Sequence, residues 1–238
     1  MAADPLKSLI LADESTGDPF VVGGSLTLPP GSIVSAMESI RAIKSERGVA
    51  PNAKIHCRIL FAGSARLKSP FKHLSVGDCH TLLIDCVDSM LKHNGEWAGS
   101  YVNAELYPRE LRLPQGDTFP VTKKHLAGLM IFSAVNVVAE LANIPYQLAF
   151  DPDPSQVDWG LLKRMQATHF ARIDPQSIQL SDDESCLLDL ADIAAYTLAQ
   201  SILCQYLPTT RKPWHLPFPD LLKRMKMRTG EFAYTPSR

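Results

Sequence analysis

Cysteine is scarce in this chain and poorly arranged for bridging. Five are spread over 238 residues (Cys57, Cys79, Cys86, Cys186, Cys204), an odd number with no C-x-x-C pair. That excludes a fully paired disulfide framework and the usual zinc spacings, and it points to a reducing, cytoplasmic setting. An excess of one charge is also missing. Lys+Arg 24 against Asp+Glu 25 gives a net charge of -1, so no whole-molecule field advertises a polyanionic partner. The most apolar stretch, Leu126 to Ala142, is interrupted by Ser133, Asn136 and Glu140 and falls short of the ~20 apolar residues a bilayer span needs. It reads as a buried core helix, and no membrane partner is expected. The opening MAADPLKSLIL has no basic segment followed by a long apolar one, which argues against a secretory signal. The chain also lacks G-x-S-x-G, H-E-x-x-H, G-x-x-x-x-G-K-[ST] and G-x-G-x-x-G, and with them the local signatures of serine hydrolases, zincins and nucleotide-binding loops.

What is present is an ordinary globular composition, 45% hydrophobic and 21% charged, enough for one sizeable α/β domain. Residues 6–13 and 20–28 read as strands joined by the turn formers Ser15 to Pro19, a hairpin. Ser32 to Glu46 carries Ile33, Met37, Ile40 and Ile43 at helical spacing. In AKIHCRILF, residues 53–61, Ile55, Cys57, Ile59 and Phe61 alternate with other residues, which predicts a half-buried strand. A helix over 76–93, a strand over 96–106, a loop over 107–119, the 126–142 helix, a strand over 145–154 and a helix over 157–169 follow. The S-x-x-E box Ser181–Glu184 opens a last long helix. The expectation is an α/β fold: a mixed sheet with an antiparallel opening hairpin, later strands joined by helical crossovers, and flanking helices. Residues 1–206 form the domain. Residues 207–238 are a basic, Pro-rich extension, with Arg211, Lys212, Lys223, Arg224, Lys226, Arg228 and Arg238 against Asp220 and Glu231.

Three acids sit at or near the ends of apolar elements: Asp13 after the first strand, Asp151 after YQLAF, and Asp192 within LLDLADIAAYTLA. Asp192 adjoins a seam of small residues, Ala191, Ala194 and Ala195, where a helix packs closely and an unpaired charge is costly. Alone, each Asp reads as a cap, a turn former or an ion-pair member. Together they could hold hard divalent cations such as Mg²⁺ or Mn²⁺, which take carboxylate oxygens. In the basic extension, Arg211, Lys212 and Trp214 are the candidate contacts to nucleic acid, the aromatic ring offering a base-stacking surface.

LADESTGDPFVVGG and LLDLADIAAY resemble the opening "DESG" motif, with its following "vlGG" strand, and the late "LQLADliAga" segment of the family known as domain of unknown function thirty-eight hundred. AKIHCRILF stands where members carry "E-[LI]-[HK]". The resemblance spans residues 6 to about 203. It implies a ribonuclease H-like fold and a metal-dependent nuclease hydrolysing phosphodiester bonds in DNA or RNA. Carried over, Asp13, Asp151 and Asp192 are catalytic metal ligands for Mg²⁺ or Mn²⁺, Glu14 is an accessory ligand on the other strand face, and His56 is a proton shuttle. This chain departs from the pattern at three places: Thr16 replaces the glycine of "DESG", Lys54 replaces the acid before His56, and Asp189 replaces the glutamine of "LQLAD". The alternative is an inactive module of the same fold that binds nucleic acid, a partner protein or a second copy of the chain.

Overall fold

The computed structural model describes residues 4, 6–112, 118–142, 146–150, 180–182, 184–210 and 212–231. β1 (Ser8–Gly17) and β2 (Phe20–Leu28) form the expected antiparallel hairpin, with Leu9 opposite Leu28 and Gly17 opposite Phe20. α1 (Ile33–Glu46), two short helices, α2 (Cys57–Phe61) and α3 (Gly63–Arg66), and α4 (Val76–Lys92) precede β3 (Glu96–Asn103), which pairs antiparallel with β2. β4 (Glu110–Arg112) and β5 (Thr118–Pro120) make a separate ribbon. α5 (Lys123–Ala142) leads to β6 (Tyr146–Phe150), parallel to β1. α6 (Leu188–Tyr206), α7 (Phe218–Met225) and β7 (Arg228–Glu231) complete the described elements, β7 running parallel to β3. The result is an α/β fold whose mixed five-stranded sheet, in the order β6-β1-β2-β3-β7, is flanked by helices.

Side chains alternate across a strand, and both faces of this sheet are covered. Leu9 and Leu11 join one apolar cluster with α1, α4 and α6, whereas Ile10 and Ala12 join another built on α5. The dipeptide Gly23-Gly24 sets the distance of both layers. A Cβ on Gly23 would stand 2.2 Å from the Met130 carbonyl oxygen of α5, and one on Gly24 would stand 2.2 Å from the Ala195 nitrogen of α6. Only residues without side chains let both helix backbones come this close, as the small-residue seam around Asp192 anticipated.

Helix starts follow local chemistry. Ser75 accepts from the Asp78 N–H while Asp78 accepts from the Ser75 N–H, a reciprocal cap for α4. Ser181 donates through its N–H and its hydroxyl to Glu184, opening a 3₁₀ turn over Ser185–Leu187 that runs into α6. The stretch Ser185–Tyr206 is long and apolar enough to cross a membrane by length and composition, yet 89% of its apolar window is buried inside the fold.

Residues 53–61 depart from the sequence reading. They form no strand; Cys57–Phe61 is helical, with Cys57, Leu60 and Phe61 buried and Arg58 exposed. Cys57, Leu60 and Phe61 also stand at i, i+3 and i+4, a helical face, and the place beside β2 is taken by β3. The expected loop over 107–119 contains the three-residue strands of the β4–β5 ribbon. The described residues beyond Tyr206 pack on the fold, since Phe218, Leu221 and Met225 are buried and β7 becomes an edge strand. The helix expected over 157–169 lies outside the described residues.

Candidate active site

Asp13 continues the Leu9, Leu11 row of β1 and pairs across the hairpin with Gly24, so it faces α6. Asp192 lies on α6 three residues before Ala195, the residue that Gly24 admits. The two carboxylates therefore crowd together. Burial holds the Asp13 carboxyl well above the usual carboxylate range, and the negative charges of Asp192 and Glu14 push it in the same direction. The Glu14 N–H donates to Asp13 Oδ1 at 2.8 Å, a contact that favours the ionised form and is outweighed.

Asp192 is tied down by its other neighbours. Its Oδ2 accepts from the Cys57 N–H at 2.6 Å, and its Oδ1 lies 3.4 Å from His56 Nδ1. Cys57 is the first residue of α2, so the carboxylate satisfies an N–H that has no partner within the helix. The hydrogen bond to Asp192 raises the His56 pKa, with burial acting the other way. One turn earlier on α6, Asp189 Oδ2 receives Lys44 Nζ at 2.6 Å, with both side chains at 0% exposure. Lys44 also donates to the Ala53 carbonyl at 2.7 Å. Burial pushes the Asp189 carboxyl up to about 6 against the pull of Lys44. The segment carrying His56 is thus held at Ala53 by Lys44 and at Cys57 by Asp192, which is why it turns into a helix instead of extending.

A cavity of about 610 Å³ opens over this cluster. Glu14, His56 and Asp192 line one part of it, Arg58 and Lys212 supply cations, and Phe61, Tyr196 and Trp214 supply aromatic walls. No family model, no curated protein and no solved structure matches the chain.

Of the residues singled out from sequence, Asp13, Glu14, His56 and Asp192 gather here, and Lys212 and Trp214 reach the same cavity. Strand alternation turns Glu14 to the α5 face, yet it lines the cavity beside Asp192. Asp151 and Arg211 lie outside the described residues; Phe150, just before Asp151, is the register partner of Ala12, just before Asp13. Among the described residues, no group of three or more His, Cys, Asp or Glu is placed to hold a metal ion. Sequence reasoning missed Lys44 with Asp189, and missed Arg58, Phe61, Tyr196 and Gln200. The last two follow Asp192 at i+4 and i+8, so the helical repeat that revealed the core face of α6 also carried the signal for its cavity stripe.

Proposed function

We propose that the protein is a divalent-metal-dependent nuclease with a ribonuclease H-like fold, cutting phosphodiester bonds at the cleft between β1 and α6. The observation that carries this reading is the meeting of Asp13 and Asp192 from distant parts of the chain, beneath a cavity that also presents Arg58 and Lys212. Carboxylates whose charges oppose one another are relieved by a cation, and the donors are hard oxygens of the kind Mg²⁺ and Mn²⁺ prefer, commonly one or two carboxylates completed by water and substrate phosphate. The antiparallel opening hairpin, mixed sheet and flanking helices are in keeping with the fold.

Asp13 and Asp192 would hold the metal, with Asp151 as the further ligand expected from sequence and Glu14 beside them. When bound, the ion would activate water and neutralise the leaving oxygen. His56, its Nδ1 turned to Asp192, would exchange a proton with substrate through Nε2. Arg58 and Lys212 would offset phosphate charge. Because a ligating carboxylate must be deprotonated and the Asp13 pKa is raised, affinity for Mn²⁺ should rise with pH.

A second reading has its own observation. Asp192 already satisfies the Cys57 N–H and pairs with His56, and Lys54 occupies the position where the family carries an acid. A module that binds nucleic acid, a partner protein or a second copy without cutting would need no more. The deciding experiment is Mn²⁺ calorimetry on the wild type and on Asp13→Asn with Asp192→Asn, alongside cleavage of single-stranded and duplex DNA and RNA. Metal binding and cleavage that both vanish in the double variant support the nuclease. A wild type that binds no metal and cuts nothing leaves the binding module.

A further inference from the structure

One wall of the cavity has chemistry of its own. Trp214 and Tyr196 each stack on Phe61, with ring centroids at 5.8 and 5.9 Å and planes within 12° and 10° of parallel. Lys212 Nζ stands 5.9 Å from the Trp214 ring centre. Gln200, on the same stripe of α6, lines the cavity at only 8% exposure. Its amide oxygen is buried without a hydrogen-bond partner among the described residues. Native proteins rarely leave such a group unpaired, and this one belongs to a residue that lines the cavity.

We propose that this cavity holds one unpaired nucleotide of a single-stranded nucleic acid, with its base against the Trp214–Phe61–Tyr196 wall and its hydrogen-bonding edge read by Gln200. This rests on the nucleic-acid reading above and specifies its substrate. The features converge on that class. Aromatic faces stack bases of any identity, a glutamine amide offers a donor and an acceptor side by side to a base edge, and Arg58 and Lys212 meet the phosphate. The volume suits a ligand of nucleotide size. A base paired in a duplex cannot present its face and its pairing edge to one enclosed wall, so the strand must be single or opened at that point.

The test is fluorescence anisotropy of a short labelled oligonucleotide, single-stranded and as a duplex, in EDTA so that metal and cleavage play no part. The single strand should bind at least about tenfold more tightly than the duplex. Trp214→Ala and Gln200→Leu should each weaken single-strand binding about tenfold and leave the weak duplex binding where it was. Gln200→Leu keeps the side-chain volume and removes a buried unpaired amide, so it tests the site even if Trp214→Ala folds poorly. Equal affinity for strand and duplex, or a folded Gln200→Leu that binds like the wild type, overturns the proposal. An unlabelled mononucleotide that competes at the same concentration as the strand supports the pocket and assigns it to free nucleotides; competition only at far higher concentration supports the pocket and assigns it to a strand. Strand binding that fails in these variants, in a protein that never cleaves, sinks the nuclease and keeps this site. Cleavage of a single strand that Gln200→Leu leaves untouched does the reverse.

Discussion

The two faces of the sheet are built from the same strands and differ sharply in what they bury. Among the described residues, the α5 face buries apolar side chains and short hydroxyls: Ser25 donates to the Ala134 carbonyl at 3.3 Å and Ser100 to Ser133 at 2.9 Å. The α6 face holds a fully buried Lys–Asp pair, a carboxyl whose pKa is raised by its surroundings, and a second carboxylate gripping a helix end. Both faces are packed to backbone contact at Gly23 and Gly24. Close packing alone therefore does not separate a structural layer from a chemical one. The separation comes from charges taken out of water and then tied to backbone groups by α1, α2 and α6.

The heaviest way to break this comparison is at Lys44. Lys44→Met leaves Asp189 buried and unpaired and should cost about 3–5 kcal/mol in urea unfolding, while Lys44→Met with Asp189→Leu should recover most of it. If the single variant costs no more than an ordinary surface change, the pair does not hold the α6 face together. Gly23→Ala and Gly24→Ala probe the feature the faces share. Each inserts a methyl against backbone and should cost about 1–3 kcal/mol or more, but only Gly24→Ala, across the hairpin from Asp13, should also alter metal binding.

Asp13→Asn should act in the opposite sense. A carboxyl with a raised folded pKa holds its proton while the unfolded chain has released it, so stability falls as pH rises through that interval. Removing the group should stabilise the protein at neutral pH by about 0.5–2 kcal/mol while abolishing any Mn²⁺ binding. A destabilised Asp13→Asn would mean that the residue is structural. The smallest expected effect is at His56, read by proton NMR titration. Its bond to Asp192 favours the imidazolium, a contribution present below the ordinary histidine pKa and lost as pH rises through the folded value. Asp192→Asn should return His56 toward its ordinary pKa, and an unmoved titration would remove Asp192 as the cause.

Much of this was legible in the chain because its signals are periodic or local. The hairpin, α1, α4, β3, α5, β6 and α6 follow from alternation, from spacings of three and four, and from Ser181–Glu184. Asp13 and Asp192 stood out as acids at the ends or within apolar elements. The segment 53–61 was misread because its helix is set by Asp192, 135 residues away, a contact no local window contains. Lys44 lies in the last turn of α1, and its partner arrives from α6 after most of the chain has been laid down.

The sequence by itself determined the α/β class, the order of most elements and the acids worth watching, since burial patterns and caps are written within a few residues of one another. Tertiary structure alone decided which acids meet, how Lys44 is paired, and that Gln200, Trp214 and Phe61 share one cavity. Those outcomes depend on how closely Gly23 and Gly24 let two helices approach the sheet, and on where desolvated charges find partners in space.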